Sequence, residues 1–164
     1  MHTRSPATVF DDAIAAAITP DACWRALEQF SLALDAHKLF TVMTVDLTAS
    51  LARRVYTNNP AAYPVSGTKP IHHDAWFAIV HDQKRSFVAN TIEAIAEVFP
   101  DHETIASLGC GSVLNLPLVL RGELVATINL LHWTGHYTPD RVAQIGRELS
   151  IPGKLALLAA RMPP

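Results

Sequence analysis

Histidine is the side chain of this sequence that offers the most chemistry, because eight histidines occur among its 164 residues. Imidazole titrates near neutral pH and is the commonest protein ligand for metal ions, so grouped histidines can act as general bases or hold iron or zinc. If a metal is bound, the candidate ligands are His72, His73, His81 and His132. Their spacing matches no compact metal motif, and histidines in loops and caps commonly bond backbone carbonyls instead. We therefore expect neither a bound metal nor another cofactor.

Cys110 is the candidate nucleophile. It stands between Gly109 and Gly111, immediately before an apolar run typical of a buried strand. A reactive cysteine must form a thiolate beside a base or a cation, whereas an inert cysteine fills a tight apolar position. If the protein is an enzyme, the candidate catalytic residues are Cys110 as nucleophile and His73 or His132 as general base or metal ligand. The inert alternative is the simpler one, so the leading prediction includes no catalytic residue.

Arg54 and Tyr56 form the most distinctive polar pair in the sequence. Alternate residues of a strand face the same side, so the two side chains are predicted to share one face. An arginine there can bind a carboxylate through two parallel hydrogen bonds, and a tyrosine hydroxyl can cap the same group. The alternative is that Arg54 is solvated at an exposed strand end and that Tyr56 only packs. The proline-rich segment 58–70 that follows is predicted to be a long ordered loop able to close over a ligand.

Aromatic and amide side chains complete the set of candidate ligand-binding residues. Tyr63 and Trp76 offer flat apolar walls for a small aromatic or planar ligand, although such rings also serve as ordinary core. Asn115 and Asn129 interrupt apolar runs, where an unbonded amide costs free energy, so one or both are expected to face a ligand or an ordered water. The predicted ligand-binding residues are Arg54, Tyr56, Tyr63, His73, Trp76, His81, Asn115 and His132.

Length and composition limit the kind of molecule that carries these groups. A chain of 164 residues suits a single domain, predicted over 1–164, and 49% hydrophobic with 17% charged residues exclude disorder over most of its length. A formal net charge of −2 lacks the positive field that nucleic-acid binding needs. The first residues do not resemble a secretion signal, and the sequence has no run of about 18 apolar residues that could span a membrane. Its two cysteines are too few for a disulfide scaffold. We therefore expect a cytoplasmic protein with no nucleic-acid partner and no membrane partner.

The first half of the chain is predicted to contain two helices and a pair of strands. Residues 7–18 and residues 20–36 carry apolar side chains at helical spacing, and Thr19-Pro20 is typical of a helix start. Residues 39–47 and 50–57 are rich in β-branched side chains and are separated by a short connection. They are therefore predicted to pair as antiparallel strands.

The second half is predicted to contain short elements, a hairpin and a last helix. The short elements are helices over 73–81, 91–99 and 101–108 and an edge strand over 85–89. Apolar runs over 112–120 and 123–131 flank the turn Arg121-Gly122 and are predicted to form a hairpin. The last helix is predicted to begin at Thr138-Pro139, and the pair Pro152-Gly153 is expected to kink or break it.

The final hairpin and the helix after it carry a recognisable pattern. The segment Ser112-Val-Leu-Asn-Leu-Pro-Leu-Val-Leu-Arg-Gly-Glu-Leu-Val-Ala-Thr-Ile-Asn-Leu130 contains a serine, apolar residues, a proline-containing strand, a glycine turn and a second strand. Tyr137-Thr-Pro-Asp140 follows as the opening of a helix. In this order the pattern resembles the GAF domain family. The resemblance extends over a core from about Asp21 to Leu149, with 1–18 as an additional N-terminal helix.

The resemblance implies an α+β fold of the GAF/PAS type. It implies a central antiparallel sheet with the N- and C-terminal helices on one face and a ligand cavity under loops and short helices on the other. It also implies a homodimer formed through the helices. Family members are commonly sensors attached to an effector domain, and one enzyme of the family reduces free methionine sulfoxide with cysteines.

The leading prediction is therefore a sensory or regulatory protein that binds a small anionic or aromatic metabolite. One alternative is an enzyme on the same scaffold, such as a reductase or hydrolase of a small metabolite that uses Cys110 or a histidine. Another is a protein-interaction domain whose cavity is vestigial. A binder needs only polar groups in a pocket, whereas an enzyme needs a base within about 3 Å of its nucleophile, metal or substrate proton.

Overall fold

The computed structural model describes residues 4–163, which form an α+β arrangement. The helices are α1 (Pro6–Ala16), α2 (Pro20–Ala33), α3 (Ala75–Phe77), α4 (Ile92–Ala96), α5 (His102–Ser107) and α6 (Pro139–Ala160), with a π-helical turn over Ala78–Asp82 directly after α3. The strands are β1 (Leu39–Asp46), β2 (Leu51–Thr57), β3 (Thr68–Pro70), β4 (Phe87–Ala89), β5 (Ser112–Leu120) and β6 (Glu123–His132). Segment 58–70 differs from the prediction because it ends in the short strand β3 rather than remaining a loop throughout.

Helices α1, α2 and α6 begin in the same way, with a hydroxyl side chain followed by proline. Ser5, Thr19 and Thr138 each precede a proline, and each side-chain oxygen accepts a hydrogen bond from the backbone N–H three residues later. The hydroxyl satisfies one unpaired amide of the helix start, and the proline removes another. These dipeptides therefore determine where the three helices start.

The strands form one antiparallel sheet, whose order within the described residues is β3-β2-β1-β6-β5-β4. The predicted final hairpin is confirmed, with Ser112 opposite His132 and Leu120 opposite Glu123. Its turn residues Arg121 and Gly122 both have positive φ, at 53° and 80°. A two-residue turn of type I′ requires this backbone at both positions. The predicted α+β fold around a central antiparallel sheet is confirmed.

Helices α1, α2 and α6 cover one face of the sheet. The even-numbered residues between 114 and 118 on β5 and between 126 and 130 on β6 point towards these helices. Leu27 of α2 and Ile145 and Leu149 of α6 pack against these side chains and are fully buried. Burying a leucine or isoleucine side chain stabilises a fold by about 1.5–3 kcal/mol, so this layer fixes the helices to the sheet.

The opposite face of the sheet lies under the short helices and the loop that precedes them. The odd-numbered strand residues Val113 and Leu131 belong here to a second buried cluster. Val80 of the π-helical turn, Ile95 of α4 and Ile105 of α5 complete that cluster from above. Because these short elements contact the sheet mainly around its margin, a space remains over the centre of the sheet.

Helix α6 continues through Pro152 and Gly153, so the helix does not break at this pair. Proline inside a helix leaves one carbonyl, here that of Glu148, without its usual N–H partner. Gly153 lies directly on the sheet, where an added Cβ would be 2.8 Å from Cδ1 of Ile128 and 2.9 Å from Cδ2 of Leu118. Packing on the sheet thus keeps the helix continuous. Within residues 4–163, no helix combines the length and the apolar composition that crossing a membrane requires.

Candidate functional site

A cavity of about 360 Å³ lies between the sheet and the short helices. Its floor consists of side chains from β1, β2, β5 and β6, and its roof comes from segment 69–76 and segment 98–105. Most of the lining is apolar and includes Leu39, Met43, Val98, Phe99, Ile105, Val113 and Leu131. Mostly apolar cavities with a few polar groups are typical of sites for small organic molecules.

Part of the predicted ligand-binding set meets in this cavity. Arg54, Tyr63, Trp76 and Asn115 line it, and so does Asn129. These residues come from separate parts of the chain, namely β2, the following loop, α3, β5 and β6. The remaining members of the predicted set, which lie outside the lining, are Tyr56, His73, His81 and His132.

A row of polar side chains crosses the floor of the cavity. Asn115, Asn129 and Thr41 lie opposite one another on β5, β6 and β1. The indole N–H of Trp76 donates to Asn115 Oδ1 at 2.9 Å, and Asn115 Nδ2 donates to Asn129 Oδ1 at 2.8 Å. Asn129 Nδ2 donates in turn to Thr41 Oγ1 at 3.2 Å. We call this row the amide ladder, and it gives each buried amide the partner that burial requires.

A second polar group in the lining, here called the charged cluster, consists of Arg54, Tyr63 and Asp101. The hydroxyl of Tyr63 donates to Asp101 Oδ2 at 2.7 Å. The guanidinium carbon of Arg54 lies 5.0 Å from the centroid of the Tyr63 ring, which is a cation–π distance. Arg54 Nη1 also donates to the backbone oxygen of Pro64 at 3.2 Å. The tyrosine therefore contacts both charged side chains.

Burial governs the electrostatics of the charged cluster. Arg54 is only 7% exposed. Burial lowers the pKa of its guanidinium, and the nearby Tyr63 and Asp101 oppose that change. Arginine nonetheless keeps its proton at physiological pH. Burial and the hydrogen bond to Asp101 raise the pKa of Tyr63, so its hydroxyl remains a hydrogen-bond donor.

Two polar atoms of the charged cluster lack a protein partner. Within residues 4–163, Arg54 Nε donates to no protein atom and Asp101 Oδ1 accepts from none, although both atoms are buried. No ion pair joins Arg54 to Asp101 in this part of the chain. An unpaired buried donor or acceptor costs free energy. The two side chains that carry these atoms both line the cavity.

Tyr56 lies on the opposite face of the sheet from Arg54, so the prediction that they share a face is wrong. On β1, Met43 is opposite Arg54 but the adjacent Val42 is opposite Tyr56, so the intervening residue of β2 forms a β-bulge. A bulge inserts one residue and shifts the alternation of side chains. Tyr56 consequently faces the helices, where its hydroxyl donates to Glu28 Oε2 at 2.7 Å.

His73 and His81 do not line the cavity, contrary to the prediction. Their rings stack on the two sides of Phe77, each with a centroid distance of 4.2 Å. Residues spaced by four share one face of a helical segment, and this face is turned away from the cavity that Trp76 lines. His72, a candidate only for metal binding, does line the cavity.

His132 is also outside the cavity lining. It occupies an even-numbered position at the end of β6, and the preceding even-numbered residues Ala126, Ile128 and Leu130 face the helices. The candidate metal ligands His72, His73, His81 and His132 therefore do not converge. Within residues 4–163, the group whose ligand atoms all lie within 4.8 Å of one another is instead Asp35, His132 and His136.

The group of Asp35, His132 and His136 is arranged for stacking and capping. The two imidazole planes are 14° from parallel, with centroids 3.6 Å apart, so their in-plane nitrogen lone pairs do not converge on one ion. Arg141 Nη2 donates to the backbone oxygen of Asp35 at 2.7 Å and lies 3.3 Å from His136 Nε2. Burial and the neighbouring imidazole lower the pKa of His132. No local sequence signal marks this group, because only the tertiary fold brings Asp35 to the histidines.

Cys110 has the environment of a core thiol. It packs in the second buried cluster with Ile105 and Val113 and is not part of the cavity lining. Burial raises the pKa of its thiol, and the ammonium group of Lys38 offsets only part of that effect. Cys23 lies on α2, which packs on the other face of the sheet. The two thiols therefore have no route to a shared redox step in this fold.

Asp101 and Thr41 are among the polar lining residues that were not singled out from the sequence. Asp101 carries no local signal, because its partner Tyr63 is distant in the chain and meets it only through the fold. Thr41 does carry a signal, since it alternates with Leu39 and must share that residue's face of β1. The alternation of side chains along β1 therefore predicts that the hydroxyl of Thr41 lies on the cavity floor.

Comparisons with known proteins find similar solved structures. No protein-family model matches the chain, and no curated protein matches it. The GAF domain of a two-component sensor histidine kinase from Bacillus halodurans is 12% identical with a TM-score of 0.67, over 88% of this chain and 100% of that chain. The phycoerythrobilin-bound GAF domain of a cyanobacterial phytochrome is 12% identical with a TM-score of 0.64, over 95% of both chains.

An enzyme also appears among the similar structures. Free methionine-R-sulfoxide reductase from Neisseria meningitidis, in complex with its substrate, is 13% identical with a TM-score of 0.62, over 98% of this chain and 95% of that chain. Likenesses at this level of identity describe the fold. They do not carry the ligand or the chemistry of one protein to another.

Proposed function

This chain has the fold of a GAF domain, and on that premise we propose that it is a sensory or regulatory domain that binds a small anionic or aromatic metabolite in the cavity. Similar structures include parts of sensor histidine kinases and of a methyl-accepting chemotaxis protein. One similar GAF domain is bound to phycoerythrobilin. These relationships support a sensory role, and the identity of the ligand must come from the cavity of this chain.

The observation that carries the proposal is the buried guanidinium of Arg54 in a mostly apolar cavity. A charged group is costly to bury unless it is paired, and the hydrogen bond to Pro64 uses only one of its N–H groups. A carboxylate or phosphate of a ligand is the natural partner for the remainder. The indole of Trp76 and the ring of Tyr63 offer the aromatic walls for the rest of such a molecule.

A metabolite screen by thermal shift, followed by titration calorimetry, tests the proposal. The variant Arg54→Gln should weaken the anionic hits by about ten- to a hundredfold, because a charge-assisted hydrogen bond is lost. Arg53→Gln is the matched control, since Arg53 is exposed on the same strand and does not line the cavity. A screen without hits, or equal affinity in Arg54→Gln, contradicts an anion-binding cavity.

The proposal includes a homodimer formed through α6. Ile151, Leu155 and Leu158 are 74%, 40% and 50% exposed and are spaced so that they form one stripe along the helix. An apolar stripe of this kind favours contact with a second helix. Sedimentation equilibrium should show a dimer for the natural chain and a monomer for the double variant Ile151→Glu/Leu158→Glu. Val65→Glu, which changes an exposed residue in the loop after β2, is the control and should remain dimeric.

The proposal also includes a reducing compartment such as the cytoplasm and no resident metal. Cys23 and Cys110 are both free and buried, which suits a compartment that keeps thiols reduced. The parallel rings of His132 and His136 argue against a metal at Asp35, His132 and His136. Elemental analysis by inductively coupled plasma should therefore find no stoichiometric zinc or iron. One equivalent of either metal would favour an enzyme over a small-molecule-binding domain.

A further inference from the structure

The unpartnered atoms of the charged cluster are of complementary kinds. Arg54 Nε carries a hydrogen-bond donor and a positive charge, whereas Asp101 Oδ1 is an acceptor on a carboxylate. Both side chains line the same cavity, and Tyr63 contacts each of them. The two charges are thus held close to one phenol ring without forming an ion pair with each other. The wall of the cavity therefore presents a positive and a negative group side by side.

The charge of the whole lining favours a ligand without net charge. Its formally charged residues are Arg54 and Lys69, which are positive, and Asp74 and Asp101, which are negative. A ligand that is only anionic gains a bond to Arg54 but is repelled by the Asp101 carboxylate, and a ligand that is only cationic meets the reverse situation. A molecule with both charges at one end satisfies both residues and leaves the buried region neutral.

Among the lining residues that the structure describes, no other buried polar side-chain atom lacks a hydrogen-bond partner. The amide ladder satisfies Asn115 and Asn129 internally. The indole N–H of Trp76 is also occupied, so its ring acts as an apolar wall. Leu39, Met43, Ile105 and Leu131 extend that apolar surface. The cavity therefore combines one dipolar recognition point with an apolar space.

We propose that the ligand is a zwitterionic α-amino acid with an apolar side chain, an inference that rests on the proposed function above. The carboxylate accepts from the guanidinium group of Arg54, and the ammonium group donates to the carboxylate of Asp101, since both side chains line the cavity. The side chain occupies the apolar space beside Trp76. A cavity of about 360 Å³ is near the lower end of ligand sites, which span about 300–1,000 Å³, and this suits a molecule of amino-acid size.

Titration calorimetry on the natural chain separates this ligand class from its one-charge analogues. The matched probes are L-phenylalanine, 3-phenylpropionate, which lacks the ammonium group, and 2-phenylethylamine, which lacks the carboxylate. L-leucine and 4-methylpentanoate form a second pair with an aliphatic side chain. At least one amino acid should bind with a Kd below about 1 mM, and each one-charge analogue of it should bind about ten- to a hundredfold more weakly.

Two variants assign the two charges to their residues. Asp101→Asn keeps an acceptor for Tyr63 but removes the charge, so the amino acid should lose affinity while 3-phenylpropionate should lose none. Arg54→Gln should weaken the amino acid and 3-phenylpropionate alike. Glu103→Gln, an exposed acid two residues after Asp101, is the control and should leave every affinity unchanged.

The possible results distinguish this inference from the proposed function. Equal binding of L-phenylalanine and 3-phenylpropionate, with both lost in Arg54→Gln, overturns the zwitterion and leaves the anion-binding function standing. If the metabolite screen gives hits but neither L-leucine nor L-phenylalanine binds, the zwitterion is likewise overturned and the anion-binding function stands. A preference for 2-phenylethylamine overturns both the carboxylate contact and the zwitterion. The absence of any small-molecule hit overturns the proposed function together with this inference.

Discussion

Polar residues of the cavity fall into two kinds that differ in how their hydrogen bonds are satisfied. Asn115, Asn129 and Thr41 bond one another, so their side chains are fixed without a ligand. Arg54 and Asp101 each retain one buried atom without a protein partner. Satisfied groups shape a site, whereas unsatisfied ones gain most when a ligand binds. We therefore expect substitutions in the amide ladder to affect stability, and those of Arg54 and Asp101 to affect affinity.

The two cysteines should be unreactive in the folded protein. Cys23 and Cys110 are 3% and 5% exposed, and burial raises the pKa of both thiols. Because the thiolate is the reactive form, a chromogenic disulfide reagent should label neither cysteine until the chain opens, and both should react at once in denaturant. Labelling of the folded natural chain and of Cys110→Ser is the measurement. Rapid reaction of one equivalent in the natural chain, absent in Cys110→Ser, would show that Cys110 is an activated thiol.

The bulge in β2 is the element that decides which residues face the cavity. It lets Arg54 point at the cavity and Tyr56 point at the helices, although a regular strand gives both the same face. The bulge arises from the way β2 pairs with β1. The alternation of side chains along a single strand therefore does not predict it. Arg54 was predictable from the sequence as a residue of the site, but the orientation of Tyr56 beyond the bulge was not.

Local signals did predict most of the other elements. The Ser-Pro and Thr-Pro starts of helices α1, α2 and α6 are set by neighbouring residues, and the turn at Arg121 and Gly122 is equally local. Asp101 and the pairing of Asp35 with His136 depend on contacts between distant segments. Sequence patterns thus predicted the scaffold and part of the cavity lining, while the long-range polar contacts required the fold.

Helix α6 contains a matched pair of glycines that tests its packing on the sheet. Gly153→Ala places a Cβ within 3.0 Å of Ile128 and Leu118, and crowding of this kind should destabilise the protein by about 1–3 kcal/mol. At Gly146 the nearest atom, Cδ1 of Leu116, is 3.9 Å from the added Cβ. Gly146→Ala should therefore be neutral or stabilise the helix by up to about 1 kcal/mol.

Urea denaturation of the two alanine variants measures this difference. If Gly153→Ala is as stable as Gly146→Ala, the backbone of α6 does not approach the sheet as closely as described. Because both substitutions add the same methyl group to the same helix, their helix propensities cancel in the comparison. The remaining difference reports the contact with the sheet.

On the scale of the whole molecule, the sheet separates a helix-covered core from the cavity. Buried histidines belong to the helix-covered side, where His37 bonds Ser31 through Nδ1 at 2.7 Å. Its Nε2 lies 3.7 Å from Glu28 Oε1, and Asp35 and His132 also act on it electrostatically. Burial lowers the pKa of His37 to about 4 despite the nearby carboxylates. The stability of the fold should therefore depend on pH through His37, which lies on the helix-covered side of the sheet.

The free energy of unfolding should fall as the pH is lowered from about 6.5, the ordinary histidine pKa, towards about 4. In that window the unfolded chain binds a proton at His37 that the folded chain excludes, so stability is complete above the window and is lost through it. The loss is on the order of 3 kcal/mol for a shift of this size. His132 and His136, whose pKa values are also lowered by burial, add to it.

Urea unfolding at a series of pH values measures this dependence. His37→Leu should reduce the slope between pH 4 and 6.5, whatever it does to the overall stability. His73→Leu, which changes an exposed histidine, should leave the slope unchanged. A pH profile that is the same in the natural chain and in His37→Leu contradicts the assignment to His37.

The three tryptophans lie in different surroundings, so the intrinsic fluorescence of the protein can report whether the cavity is occupied. Trp24 is 4% exposed under the helices, Trp133 is 53% exposed, and Trp76 forms part of the cavity wall. Indole fluorescence depends on the polarity around the ring, so a molecule that displaces solvent from the cavity changes the emission of Trp76 and leaves the other two signals constant. Occupancy can then be followed without a label, and Trp76→Phe supplies the background spectrum.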